Sequence, residues 1–179
     1  MKSKSIMDDG QEQMEFWLAG PILNIPDILQ PAAHALLQSE RELKKYTADF
    51  PKELLWAKTS GRASVGFHMN HITGVLDRMM TYAKSESLTA EQFQFLKQEG
   101  SFNLTIEVEG LQEQFSAKVA EALAYFKTLP EDTLTEKRTV GRKKLPTTVI
   151  GLLFHAAEHS QRHIGQLLVT VSVLQSKIS

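Results

Sequence analysis

The chain has 179 residues, 42% of them hydrophobic and 23% charged, with 20 basic against 21 acidic side chains and a formal charge of -1. That length and balance describe one globular domain with a full core, without a general electrostatic grip on nucleic acid or an anionic membrane. The chain has no cysteine. Disulfides, thiolate-bound zinc, iron–sulfur clusters and cysteine nucleophiles are therefore excluded, and a metal site has to be built from the six histidines and the carboxylates.

Residues 1–20 read as a polar N-terminal lead-in and 21–179 as the single domain. Acidic and polar residues stand where a signal peptide would carry its apolar core. The apolar run at 21–29 is too short to span a bilayer and is broken by Pro26. A cytoplasmic protein without a membrane segment is the expectation.

From Ile25 to Tyr46 the residues Ile28, Leu29, Ala32, Ala33, Leu36, Leu37 and Leu43 recur at three-and-four spacing, which predicts an amphipathic helix. Pro26 or Pro31 falls in or near its first turn, where a missing N–H does least harm. A connector punctuated by Pro51 and Gly61 leads to a second helix from about Ser64 to Lys84, with Val65, Met69, Ile72, Leu76, Met79, Met80 and Tyr82 as its stripe. A short helix is expected over Thr89–Gln98, capped by Thr89 and stopped by Gly100.

A third long helix covers about Thr105 to Leu129, burying Val108, Leu111, Phe115, Val119, Ala122, Leu123 and Phe126. At its start, NLTIEVE could compete as a short strand. EDTLTEKRTVGRKKLP then reads as a polar loop. Pro146 is expected to open the last helix, which runs to about Gln175 through Val149, Ile150, Leu153, Phe154, Ile164, Leu167, Leu168, Val171 and Leu174. Four long amphipathic helices without repeats or a convincing run of strands predict an all-α four-helix bundle with long connections. Connections of that length call for at least one crossover.

"LLFHAAEHSQRHIGQLL" places His155, His159 and His163 four apart on the last helix. Positions four apart share a face, so His159 and His163 can aim both imidazoles at one point, about 2.0–2.1 Å from a divalent ion. "GFHMNHITGVLDRM" puts His68 and His71 beside the stripe of the second helix. A helical pair plus one histidine from a facing helix is how metal sites form inside bundles, and three imidazoles leave coordination positions open. His68 by itself reads as a core or boundary histidine.

"FHMNHITGVLDRMMTYA" followed far downstream by "LLFHAAEHSQRHIGQLL" resembles the DinB/YfiT-like metalloenzyme family across roughly residues 25–176. The family pattern has a histidine followed by an aliphatic residue on the second helix, then HxxxH, a small residue and glutamine on the last. The resemblance implies that His71, followed by Ile72, joins His159 and His163 as the ligands. It further implies a nickel, zinc or similar divalent ion and a homodimer. Gly165 is expected to admit a neighbouring helix, and Gln166 to donate to the site from outside the ligand set. Relatives in the family include thiol-dependent transferases and isomerases. That chemistry is consistent here, because a cation acidifies a bound thiol and, with no cysteine, the thiol must be a small cosubstrate. Hydrolysis by metal-activated water is the competing use of the same site.

The same stretch also fits HxxEH, through His155, Glu158 and His159, the inverted zinc-peptidase signature. Its known carriers are far larger than this chain. His155 is otherwise a pocket residue or a structural one. Glu158 reads as the partner of a basic side chain, Asp77 and Arg78 as makers of bundle salt bridges, and His34 as a surface histidine that could alternatively face the open metal position. Lys137, Arg138, Arg142, Lys143 and Lys144 form a basic loop, either simply solvated or rimming the pocket to attract an anionic substrate. The functional expectation is a metal-dependent transferase, isomerase or hydrolase acting on a small molecule, with no nucleic-acid or membrane partner. A non-catalytic, stress-type metal-binding bundle is the alternative class.

Overall fold

A computed structural model describes residues 14–177. Most of the lead-in lies outside them. Its described end carries one turn of 3-10 helix at Phe16–Leu18, with the Arg41 guanidinium 4.5 Å from the Phe16 ring centre.

The α-helices among the described residues are α1 (Gln30–Tyr46), α2 (Val65–Ala83), α3 (Ala90–Gln98), α4 (Val108–Phe126) and α5 (Val149–Gln175). Each long helix starts within a few residues of its sequence signal. Ser64 caps α2 by accepting from the Phe67 N–H, and Thr89 with Gln92 closes a capping box on α3. Both satisfy backbone donors that a helix N-terminus otherwise leaves unpaired.

α5 packs against α1 and α2, and α4 packs against the same two. The consecutive helices α1 and α2 therefore sit across the bundle from each other, as do α4 and α5. The long connections carry the chain over the ends of the bundle to reach these diagonal places. Leu29, Leu36, Leu43, Met69, Ile72, Leu76, Phe115, Phe126 and Leu153 are fully enclosed at the centre.

Three expectations change. The segment after α4 is an antiparallel hairpin, β1 (Lys137–Val140) with β2 (Leu145–Thr148), in which Thr139 pairs with Pro146. Pro146 thus belongs to a strand, tolerated because a two-stranded ribbon has only edges. The start of α5 is set by Thr148, whose side chain accepts from the Gly151 N–H. The segment NLTIEVE does not form the competing strand: residues 103–107 are turn and extended chain, and α4 begins at Val108. Finally, Ile28, Phe154 and Leu168 from the predicted stripes are exposed, Phe154 at 58%. No helix among the described residues is long and apolar enough to cross a membrane.

Candidate metal centre

His71 lies on α2, and His159 and His163 lie on α5. The two helices run antiparallel, because His68 meets His163 while His71 meets His159. Each of His71, His159 and His163 offers one nitrogen, and the three nitrogens lie within 4.8 Å of one another. All three side chains are half-buried.

Two donors on one divalent ion, each about 2.0–2.1 Å from it, stand about 2.9–3.4 Å apart between right-angled and tetrahedral geometry. His71 Nε2 and His159 Nε2 are 3.0 Å apart, so this pair stands at the spacing such an ion requires. His159 Nδ1 is buried without a hydrogen-bond partner among the described residues. Such an orphan is uncommon in a folded protein and marks a ring held in place for some other reason.

The far nitrogens of the other two rings are engaged. His71 Nδ1 donates to Glu99 Oε2 at 2.6 Å, while Glu99 Oε1 accepts from Arg78 Nη1 at 2.7 Å. Glu99 is 3% exposed, at the end of α3. With Nδ1 carrying the proton, the lone pair of His71 is fixed on Nε2, facing the other histidines. A carboxylate behind an imidazole orients metal-binding histidines generally and raises their basicity. Phe67 stacks on the His71 ring at 5.0 Å and 14°, fixing its plane. His68 Nδ1 stands 2.8 Å from His163 Nδ1, so His68 serves His163 as Glu99 serves His71 when His163 donates. His68 is 3% exposed.

Gly74 makes room for this support. A Cβ there would stand 2.4 Å from Glu99 Oε1, 2.6 Å from Arg78 Nη1 and 2.9 Å from the Phe95 ring. Neither Gly74 nor Glu99 stood out in the sequence. A glycine inside a strongly patterned helix was the available signal.

Burial favours the neutral form of three of these rings, His68, His159 and His163. Burial, followed by the charge of neighbouring His71, lowers His68 and His159 to about 4. Burial and then His71, His159 and His68 lower His163 to about 3. Near neutral pH these rings hold free lone pairs, the form in which imidazole binds metal.

The remaining candidates separate from the three. His155 is 46% exposed, and its Nδ1 donates to Glu158 Oε1 at 2.9 Å. Arg162 Nη2 holds both oxygens of Glu158, at 2.7 and 2.5 Å. His155, Glu158 and His159 also bring donor atoms within 4.8 Å of one another, but their carboxylate is already neutralised by Arg162. His34 Nε2 bonds the Gly20 carbonyl at 3.1 Å. Gln166 is exposed, and a Cβ at Gly165 would meet nothing within 4 Å, so no helix among the described residues approaches there. Asp77 does bridge helices, through Lys118 of α4 at 3.0 Å.

The basic segment does not rim the cluster. Arg138 Nε donates to the Ala83 carbonyl at 2.7 Å, which ties the hairpin to the far end of α2. At 1.5 Å per residue, that end is roughly 18 Å along the helix from His71.

The fold and this site define a class: a crossed-over helical bundle carrying a histidine cluster between two facing helices. The sequence model of the DinB superfamily matches residues 35–167, and the chain belongs to that superfamily. Among solved structures the chain is similar to a protein from Streptococcus pneumoniae, with a TM-score of 0.62 and 9% identity, over 84% of this chain and 91% of that one. At that identity the likeness shows the fold alone. No curated protein matches the chain.

Proposed function

We propose that this protein is a divalent-metal-dependent enzyme acting on a small molecule, with His71, His159 and His163 as the ligands. The observation that carries it is the convergence of three imidazole nitrogens from α2 and α5 within 4.8 Å, backed by Glu99 and His68 on the outer nitrogens of two of them. An ion held there supplies Lewis acidity, which makes a thiol or a water nucleophilic at neutral pH.

The chain's own residues prepare the site for that role. Glu99 holds the proton on His71 Nδ1, His68 Nδ1 accepts a hydrogen bond from His163 Nδ1, and Phe67 fixes the plane of the His71 ring. Three ligands leave room for substrate, the arrangement of catalytic rather than structural sites. Because the chain lacks cysteine, a thiol nucleophile has to arrive as a cosubstrate, and transfer or isomerisation with such a thiol is the preferred reaction class. Zinc or nickel suits an all-imidazole set. His155, exposed beside His159 with ring centres 5.1 Å apart, is placed to orient the substrate.

Calorimetric titration of chelator-treated protein with zinc and nickel tests the assignment. One ion per chain is expected; His163→Ala should abolish binding and His155→Ala should weaken it at most slightly. Full binding by the His163 variant would remove the three-histidine site. Loss confined to the His155 variant would favour the HxxEH group instead. A cobalt-loaded sample titrated with a small thiol should develop a thiolate charge-transfer band. Its absence, with no turnover of ester or amide substrates, would favour the non-catalytic metal-binding bundle.

A further inference from the structure

At the far end of α2 the hairpin, the α2–α3 turn and α3 enclose a second cleft of about 500 Å³. We propose that it binds a small phosphate monoester carrying a flat apolar group. The volume lies within the range of small-molecule sites. One wall belongs to the hairpin and presents Lys137, Arg142 and Lys144. None of these three is in an ion pair among the described residues. Arg138, by contrast, is held by Glu136 at 2.9 Å and by the Ala83 carbonyl, and anchors the wall.

The opposite side is apolar and aromatic: Tyr82, Leu88 and Phe93 line it, and Phe93 is 38% exposed. The Arg142 guanidinium lies 6.0 Å from the Phe93 ring centre, so cation and ring address the same space. Glu86 is the one acidic lining residue, and it stands on the α2 side with Ser85 and Ser87, which assigns the anion to the hairpin wall. A carboxylate is satisfied by one arginine fork, whereas three unneutralised cations call for a group of higher charge with more acceptor oxygens. Low-dielectric walls concentrate that field inside the cleft.

The backbone supports the assignment. Ser85 (φ 62), Gly141 (φ 68) and Lys144 (φ 48) all line the cleft in the left-handed region. That conformation is uncommon for serine and lysine, and here it bends the chain after α2 and at the hairpin tip around the cleft.

The test is a titration of the full-length, chelator-treated, isotope-labelled chain, followed by amide chemical shifts. Phenyl phosphate, inorganic phosphate and phenol are the probes. Phenyl phosphate should shift residues 82–88 and 137–144 saturably, bind more tightly than inorganic phosphate, and weaken as salt is added. Replacing Lys137, Arg142 and Lys144 together with glutamine should weaken it at least roughly tenfold, each exposed charge contributing a few-fold. Phe93→Ala should reduce phenyl phosphate to the affinity of inorganic phosphate. No saturable shift at millimolar concentration, salt-independent binding, or shifts centred on the histidine cluster would overturn the site. Equal binding by the triple variant would overturn the role of the cations. Phenol binding as well as phenyl phosphate would overturn the phosphate, and an unaffected Phe93 variant would overturn the apolar group.

Discussion

Gly74→Ala puts the support of the candidate metal centre under direct strain. Alanine at an exposed helical position normally stabilises relative to glycine by about 1 kcal/mol. Here the new methyl group would lie 2.4 Å from Glu99 Oε1 and 2.6 Å from Arg78 Nη1. Those atoms end flexible side chains, which elsewhere could swing aside cheaply. In this protein both chains are buried and tethered: Glu99 is fixed by His71 at 2.6 Å and by Arg78 at 2.7 Å, and the Phe95 ring closes the third side. Moving Glu99 gives up at least one hydrogen bond involving a charged group, about 1.5–3 kcal/mol, and full rupture of a buried pair costs about 3–5 kcal/mol. Set against the helix gain, the variant should lose about 0.5–2 kcal/mol in urea unfolding of the metal-free protein if one bond is given up, and about 2–4 kcal/mol if the pair ruptures. Its zinc affinity should fall about 10–100-fold, the usual effect of removing the partner behind a ligand histidine. Glu99→Gln should lower zinc affinity similarly without adding bulk. A Gly74→Ala protein that gains stability and binds zinc unchanged would refute the clamp.

Gly165→Ala is the matching control, since a Cβ there meets nothing within 4 Å on the exposed side of α5. It should raise stability by about 1 kcal/mol, read as an increased urea midpoint; a loss would mean that something does approach that face. Acid should destabilise the metal-free protein. His68, His159 and His163 are lowered from 6.5 to about 4, 4 and 3, so the unfolded chain binds more protons than the folded one below pH 6.5, and stability falls towards about pH 4. Above pH 6.5 these rings contribute no slope. Urea midpoints of chelated protein across that range check this, and His163→Gln should flatten the curve; an unchanged curve would contradict the assigned cause.

The four long helices were legible because a 3.6-residue apolar period needs only local chain geometry and a core to face. The histidine motifs were legible for the same reason: His159 and His163 share a face of any helix that contains them. The hairpin was hidden because its strands have four residues each, the first carrying Lys137 and Arg138 and the second Pro146. Phe154 and Leu168 look like stripe members by spacing, yet the faces covered on α5 depend on where α1 and α2 lie.

By itself, the sequence determined an all-α chain with paired histidines on the last helix and further histidines on the second, because helical period and residue chemistry are local properties. The tertiary structure decided which nitrogens meet and what stands behind them. His71 reaches His159 across 88 positions, and Glu99 reaches His71 across 28 from the end of a minor helix. It likewise moved the basic segment away from the cluster, to the other end of α2. Contacts of that range follow from packing α2 against α5 and folding α3 against α2, and no local pattern encodes them.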